Sequence, residues 1–185
     1  WTNVARARPL FEGHEQPHLP ADLGFYDLRL PEVRVAQAEM AATYGIEGFC
    51  YWHYWFGGRR LLERPFNEVL ESGQPDFPFC LGWANESWTG VWNNEPRRML
   101  MEQTYPGEAD DRAHFYYLMK VFGDHRDITV EGKPLLFIYK PLNLPDAKRR
   151  LDRWREWAHQ AGHKGLYILG NNLLVPAGEI DSGQG

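Results

Sequence analysis

Gly45-Ile46-Glu47-Gly48-Phe49-Cys50-Tyr51-Trp52-His53-Tyr54-Trp55-Phe56 is the stretch whose reading decides the fold. Its last eight residues hold six aromatic rings and a histidine. Upstream, Pro31 suits a first helical turn, and Val33, Ala36, Met40 and Tyr44 recur at helical spacing until Gly45 ends the run. Ile46 to Trp52 then reads as a strand, so the aromatic residues mark its exit into a loop. Tyr and Trp carry groups that want hydrogen-bond partners, so a cluster of them at a strand exit favours a ligand rim over plain core.

The same unit recurs downstream. Leu62, Phe66, Val69 and Leu70 mark a second helix closed by Gly73, and Phe77 to Asn85 reads as the next strand, leading into Trp83-Ala84-Asn85-Glu86-Ser87-Trp88 and Trp92. Ser87 to about Gly107 reads as a loop. Phe115, Leu118, Met119 and Phe122 give a third helix before a strand at Leu135 to Lys140; Ala147, Leu151, Trp154, Ala158 and Ala161 give a fourth before Gly165 to Asn171. Residues 1–31, with prolines at 9, 17, 20 and 31, form a loop-rich lead-in.

Apolar strands separated by helices predict an α/β fold with a parallel sheet, and polar and aromatic residues gather where a ligand site is expected, at the strands' carboxyl ends. No Gly-rich phosphate fingerprint follows any strand, which weighs against a nucleotide-binding open sheet. The expectation is a (β/α)8 barrel of the TIM type, present as a single partial domain over 1–185 with about four βα units. Such a half-barrel leaves edges and inner faces bare, which predicts aggregation or pairing with another copy.

Composition narrows the function. The 185 residues carry 20 basic and 25 acidic side chains, a formal net charge of -5, so no nucleic-acid partner is expected. No apolar run reaches the roughly 18 residues of a membrane span. Cys50 and Cys80 do not read as a disulfide framework, which favours a reducing, cytoplasmic setting. Cys50 and His53 have a Cys-x-x-His look, but residues three apart on a strand point to opposite faces, so no metal is expected there, and no other cofactor.

Flat rings beside amide and carboxyl groups suit a sugar, and an oligosaccharide or polysaccharide is the expected partner. Glycosidic chemistry commonly uses a carboxylic acid and a second carboxylate across the sugar. Glu86, at the exit of an apolar strand, is the leading candidate acid or base, against the alternative that it braces the loop. His53 is a second proton-transfer candidate, weighed against a satisfied core histidine. Tyr51, Trp52, Tyr54, Trp83, Asn85, Trp88, Tyr139 and Asn171 are the candidate sugar contacts, although Asn171-Asn172 reads equally as a turn. Alternation sends Phe49, Tyr51 and His53 to one face and Cys50, Trp52 and Tyr54 to the other, without saying which is the ligand face. Lys140 reads either as offsetting negative charge at the rim or as solvated.

Four ordered motifs carry a resemblance: Asp22-Leu23-Gly24-Phe25-Tyr26-Asp27-Leu28-Arg29, the stretch 45–56, Trp83-Ala84-Asn85-Glu86-Ser87-Trp88, and Gly132-Lys133-Pro134-Leu135. Together they resemble the WbsX family, over Trp1 to about Asn172. The resemblance implies a glycosyltransferase of bacterial surface-polysaccharide synthesis, with a domain similar to glycoside hydrolase family 99 and a (β/α)8 barrel acting on carbohydrate. It also implies a first strand upstream of Trp1 and later strands beyond Gly185, where the related hydrolases carry their catalytic carboxylates. A missing barrel half or other domains of a parent protein are therefore expected, and a non-catalytic carbohydrate-binding domain is the alternative.

Overall fold

The computed structural model describes residues 1–16, 18–91 and 95–171. Among the described residues, five α-helices, α1 Thr2–Arg6, α2 Pro31–Thr43, α3 Arg64–Ser72, α4 Glu108–Phe122 and α5 Ala147–Gln160, accompany nine strands, β1 Phe49–His53, β2 Trp55–Phe56, β3 Arg59–Arg60, β4 Phe79–Trp83, β5 Trp88–Gly90, β6 Glu95–Met101, β7 Thr129–Val130, β8 Lys133–Ile138 and β9 Tyr167–Gly170. The architecture is mixed α/β. Strands β1, β4, β8 and β9 pair in parallel in chain order, with α3, α4 and α5 between them, and β7 adds an antiparallel edge to β8. Among the described residues the sheet does not close into a barrel.

Register fixes which side chains share a face. Tyr51, Leu81, Leu136 and Ile168 lie in one row across the sheet, and His53, Trp83 and Ile138 lie in the row two residues on. These rows meet the helices: Phe66 of α3, Phe115, Leu118, Val121 and Phe122 of α4, and Trp154 and Ala158 of α5 join Phe79, Leu81, Trp83, Leu136 and Ile138 in one cluster. Each large side chain there contributes roughly 1.5–3 kcal/mol by leaving water.

The intervening row, Trp52, Gly82, Phe137 and Leu169, belongs to the opposite face. No helix of the described chain covers it: Trp52 is 49% and Leu169 44% exposed. Gly82 is required here by space, since an added Cβ would sit 2.9 Å from Cys50 Sγ, 3.2 Å from the Phe137 ring and 3.3 Å from the Trp52 ring.

The ends of the elements follow local chemistry. Pro31 opens α2 and Gly73, at φ 71°, closes α3 in the left-handed region. Glu108, Asp110 and Asp111 place negative charge in the first turn of α4, where it complements the helix dipole. Two hairpins depart from the expected loops. Gly57 and Gly58, at φ 54° and 86°, supply the two positive φ values of a tight turn between β2 and β3. The expected loop from Ser87 to Gly107 contains the antiparallel pair β5–β6. The lead-in is irregular apart from the single short turn of α1.

Candidate functional site

The exits of the four parallel strands bring a group of polar and aromatic side chains to one end of the sheet. Tyr54 follows β1, Glu86 follows β4, Tyr139 and Lys140 follow β8, and Asn171 follows β9. The strand pairing runs on past these ends: Tyr139 N–H donates to Trp83 O at 3.0 Å and Asn171 N–H to Ile138 O at 3.1 Å.

On the uncovered face, the Trp52 ring lies 5.9 Å from Phe137 and 5.6 Å, edge-on, from Tyr139. Lys140 Nζ lies 5.5 Å from the Tyr139 ring centre and forms a 2.5 Å ion pair with Glu86. That hydrogen bond holds the Lys140 ammonium above its ordinary pKa. Tyr54 packs edge-on against Trp88 at 5.0 Å, and Phe56 meets the same indole at 5.5 Å. Burial raises the Tyr54 phenol's pKa, and the negative charge of Glu86 adds to the shift. The result is a set of ring edges and faces around one ion pair, half open to solvent.

The second hairpin steadies this rim. Gln103, just past β6, donates its backbone N–H to Ser87 Oγ at 2.9 Å and its side-chain amide to Trp55 O at 3.0 Å. Gln103 and Lys140 were not among the sequence candidates for ligand contact. The position of Lys140 directly after Tyr139, at a strand exit, was the signal for it.

Four of the sequence candidates lie elsewhere. His53 is 4% exposed on the helix side, where its Nε2 meets His114 Nε2 at 2.8 Å and its ring stacks on Tyr117 at 5.2 Å. Burial, aided by the positive charge of Arg60, pushes its pKa down to about 3, and burial takes that of His114 well below the ordinary value. The pair is neutral, one ring donating and the other accepting. Trp83 is 1% exposed, edge-on to His114 at 4.6 Å and beside Trp154 at 5.8 Å. Tyr51 packs on Phe66 at 5.0 Å, and burial raises its phenol pKa. All three face the helices because odd positions of β1 and β4 point that way, so Tyr51, His53, Trp83 and Glu86 do not share a hollow.

Asn85 is fully buried and its amide is spoken for. Nδ2 donates to Lys140 O at 2.7 Å and to Tyr105 Oη at 3.2 Å, while Oδ1 accepts from Lys140 N–H at 2.8 Å. An amide has two donors and one oxygen, so little remains for a sugar. Its side chain acts as an extra length of strand, tying the exit of β4 to that of β8. Trp92 and Asn172 lie outside the described residues.

Cys50 and Cys80 are free and are register neighbours on β1 and β4. Among the described residues no group of three or more His, Cys, Asp or Glu is placed to hold a metal ion, and no helix is long and apolar enough to cross a membrane. A hollow of about 300 Å³ between the starts of α4 and α5 is lined by Asp111, Arg150 and Arg153, with Arg150 and Arg153 each paired to Asp111, at 2.8 and 2.7 Å. It belongs to the helix layer and not to the rim.

A family profile described as glycosyltransferase WbsX matches residues 1–182. The uncharacterized protein WxcX, from two strains of Xanthomonas campestris pathovar campestris, is 41% identical over 162 residues, covering 88% of this chain and 23% of WxcX. The β-galactosidase YesZ of Bacillus licheniformis is 27% identical over 164 residues, covering 73% of this chain and 24% of that protein. The chain thus spans about a quarter of the length of these relatives. No solved structure gives a significant match.

Proposed function

This chain belongs to the WbsX glycosyltransferase family, and from that premise we propose that it supplies one wall of a carbohydrate site in an enzyme that makes or breaks glycosidic bonds. The observation that carries the reading is the convergence of Trp52, Tyr54, Trp88 and Tyr139 on the Glu86–Lys140 pair at the carboxyl end of a parallel sheet. That end is where α/β folds hold their ligands. Trp and Tyr faces accept the C–H side of a sugar ring, and an ion pair beside them accepts and donates to hydroxyls.

In this reading the four parallel strands, laid down in chain order with all three crossover helices on one face, are part of a (β/α)8 barrel resembling glycoside hydrolase family 99. The uncovered Trp52 row looks into its lumen. Asn171, at the last strand exit, belongs to the same rim. Glu86 is one of the two carboxylates such chemistry uses, and the other comes from outside the described residues. Tyr51, His53, Trp83 and Asn85 support the rim from behind. The likeness to a β-galactosidase favours glycosidic chemistry, and the family's link to surface polysaccharide makes a bacterial lipopolysaccharide or O-antigen chain the substrate class. Two free cysteines fit a reducing, cytoplasmic setting.

The test is a glycan-array screen of the full-length protein followed by calorimetric titration of the oligosaccharide it selects. Trp52→Ala and Trp88→Ala are each expected to weaken binding about tenfold, the scale of one lost aromatic platform. Absence of any carbohydrate binding, or unchanged affinity in both variants, overturns the reading. Turnover of the selected glycan by the full-length protein separates an enzyme from the second reading, a carbohydrate-binding domain. That second reading is favoured by one fact: Glu86 is the only carboxylate that the described strand exits bring to this rim.

A further inference from the structure

Charge enters the described rim at two adjacent side chains. Glu86 and Lys140 come from neighbouring strand exits and meet at 2.5 Å, each with a little over a third of its side chain exposed. Tyr54, Trp88, Trp52 and Tyr139 around them are aromatic residues. Lys140 is held twice: its backbone N–H and C=O are clamped by the Asn85 amide, and its ammonium lies near the Tyr139 ring. The pair is therefore positioned by the fold and is not a chance meeting of two free side chains.

Its net charge is zero, but both signs are presented to solvent. A carboxylate has acceptor sites beyond the one used by Lys140, and an ammonium has two further N–H donors. A sugar hydroxyl both donates and accepts, so it bridges the two groups without separating them. A sugar carboxylate has only acceptors. It is drawn to Lys140 and repelled by Glu86 a few ångströms away, and to bind it must take over a lysine already engaged.

We infer that the Glu86–Lys140 pair makes this rim a subsite for an uncharged, hydroxyl-rich sugar, with Glu86 as the residue that excludes uronates. The inference rests on the carbohydrate reading above and adds the substrate class at this position. Lys140 is the positioning residue, since its ammonium holds the Glu86 carboxylate at the rim. Discrimination of this kind works by an unfavourable contact to the wrong ligand as much as by a good one to the right ligand.

The experiment titrates the full-length protein with length-matched panels of neutral hexose oligosaccharides and hexuronate oligosaccharides. The wild-type protein is expected to bind neutral chains at least about fivefold more tightly, the size of one like-charge contact at ~4 Å in water. Glu86→Gln removes the repulsion and frees Lys140, so uronate affinity rises and the ratio falls to unity or inverts. Lys140→Met weakens both ligands and widens the gap, and Lys140→Arg restores the wild-type ratio. Salt at about 1 M shrinks the difference, because the Debye length falls to about 3 Å. Equal or tighter uronate binding by the wild type, or a ratio untouched by Glu86→Gln, overturns this inference while leaving a carbohydrate site in place. Failure to bind any member of either panel removes the carbohydrate reading itself and this inference with it.

Discussion

Lowering the pH from 7 to 5 should destabilise the protein by about 4 kcal/mol more than it destabilises a His53→Gln, His114→Gln double variant. His53 and His114 share one hydrogen bond in the core, stacked on Tyr117 and Trp55 and met edge-on by Trp83 and Trp154. Burial depresses both pKa values, that of His53 to about 3 from an ordinary 6.5. Well above pH 6.5 neither the folded nor the unfolded chain holds these protons, and the pair contributes its full stability. As the pH falls from 6.5 towards 3, the unfolded chain takes up protons that the folded core refuses. Stability then drops by roughly 1.4 kcal/mol per pH unit for each histidine.

The comparison with the double variant matters because Asp127 works in the opposite direction. Burial, with the charge of Asp124, lifts its carboxyl to about 8, so the folded chain holds a proton that the unfolded chain has lost, and acid favours folding through that group. This contribution is common to both proteins and cancels in the difference. Denaturant titrations at pH 7, 6 and 5 measure the effect. Parallel pH dependences in the two proteins would mean that the histidines are hydrated and charged in the folded state.

Asn85→Ala should cost about 3 kcal/mol of stability and weaken sugar binding in the fraction that remains folded. Three hydrogen bonds disappear, leaving the Lys140 N–H and C=O and the Tyr105 hydroxyl without those partners. Asn85→Asp is the sharper probe. Its shape is the same, but an acceptor would then face Lys140 O, where Nδ2 now donates, and a charge would be buried without a cationic partner. Asp is therefore expected to be at least as damaging as Ala. The readouts are the denaturation midpoint and the affinity for the selected glycan. A stable Asn85→Asp protein with unchanged affinity would show that the β4 and β8 exits do not depend on this amide.

The order of elements was legible because each kind has its own period. Strands expected at 46–52, 77–85, 135–140 and 165–171 lie at Phe49–His53, Phe79–Trp83, Lys133–Ile138 and Tyr167–Gly170. Hairpins were harder, since Arg59–Arg60 is short and charged and Glu95–Met101 is exposed, with its apolar residues run together at 99–101 and not alternating. The ligand face was not legible at all: β1 is aromatic at nearly every position, so alternation alone marks neither side. What separates the two faces is distant in sequence. His114 lies 61 residues from His53, and the backbone that occupies Asn85 lies 55 residues away. A side chain whose partner comes from a remote element reads as free until the fold brings that partner in. Trp52, Tyr54, Glu86, Trp88 and Tyr139 could be grouped in advance because each stands at or near a strand exit.

The β5–β6 arm is tied to the rim at its base, through Gln103 on Ser87 Oγ and on Trp55 O. Its strand Glu95–Met101 is exposed along nearly its whole length. Anchorage at the root and freedom beyond it mean that residues added or exchanged along the arm leave the strand exits undisturbed. The arm is thus the natural place for related chains to diverge without disturbing the sheet, and the place to graft a new segment when redesigning this domain.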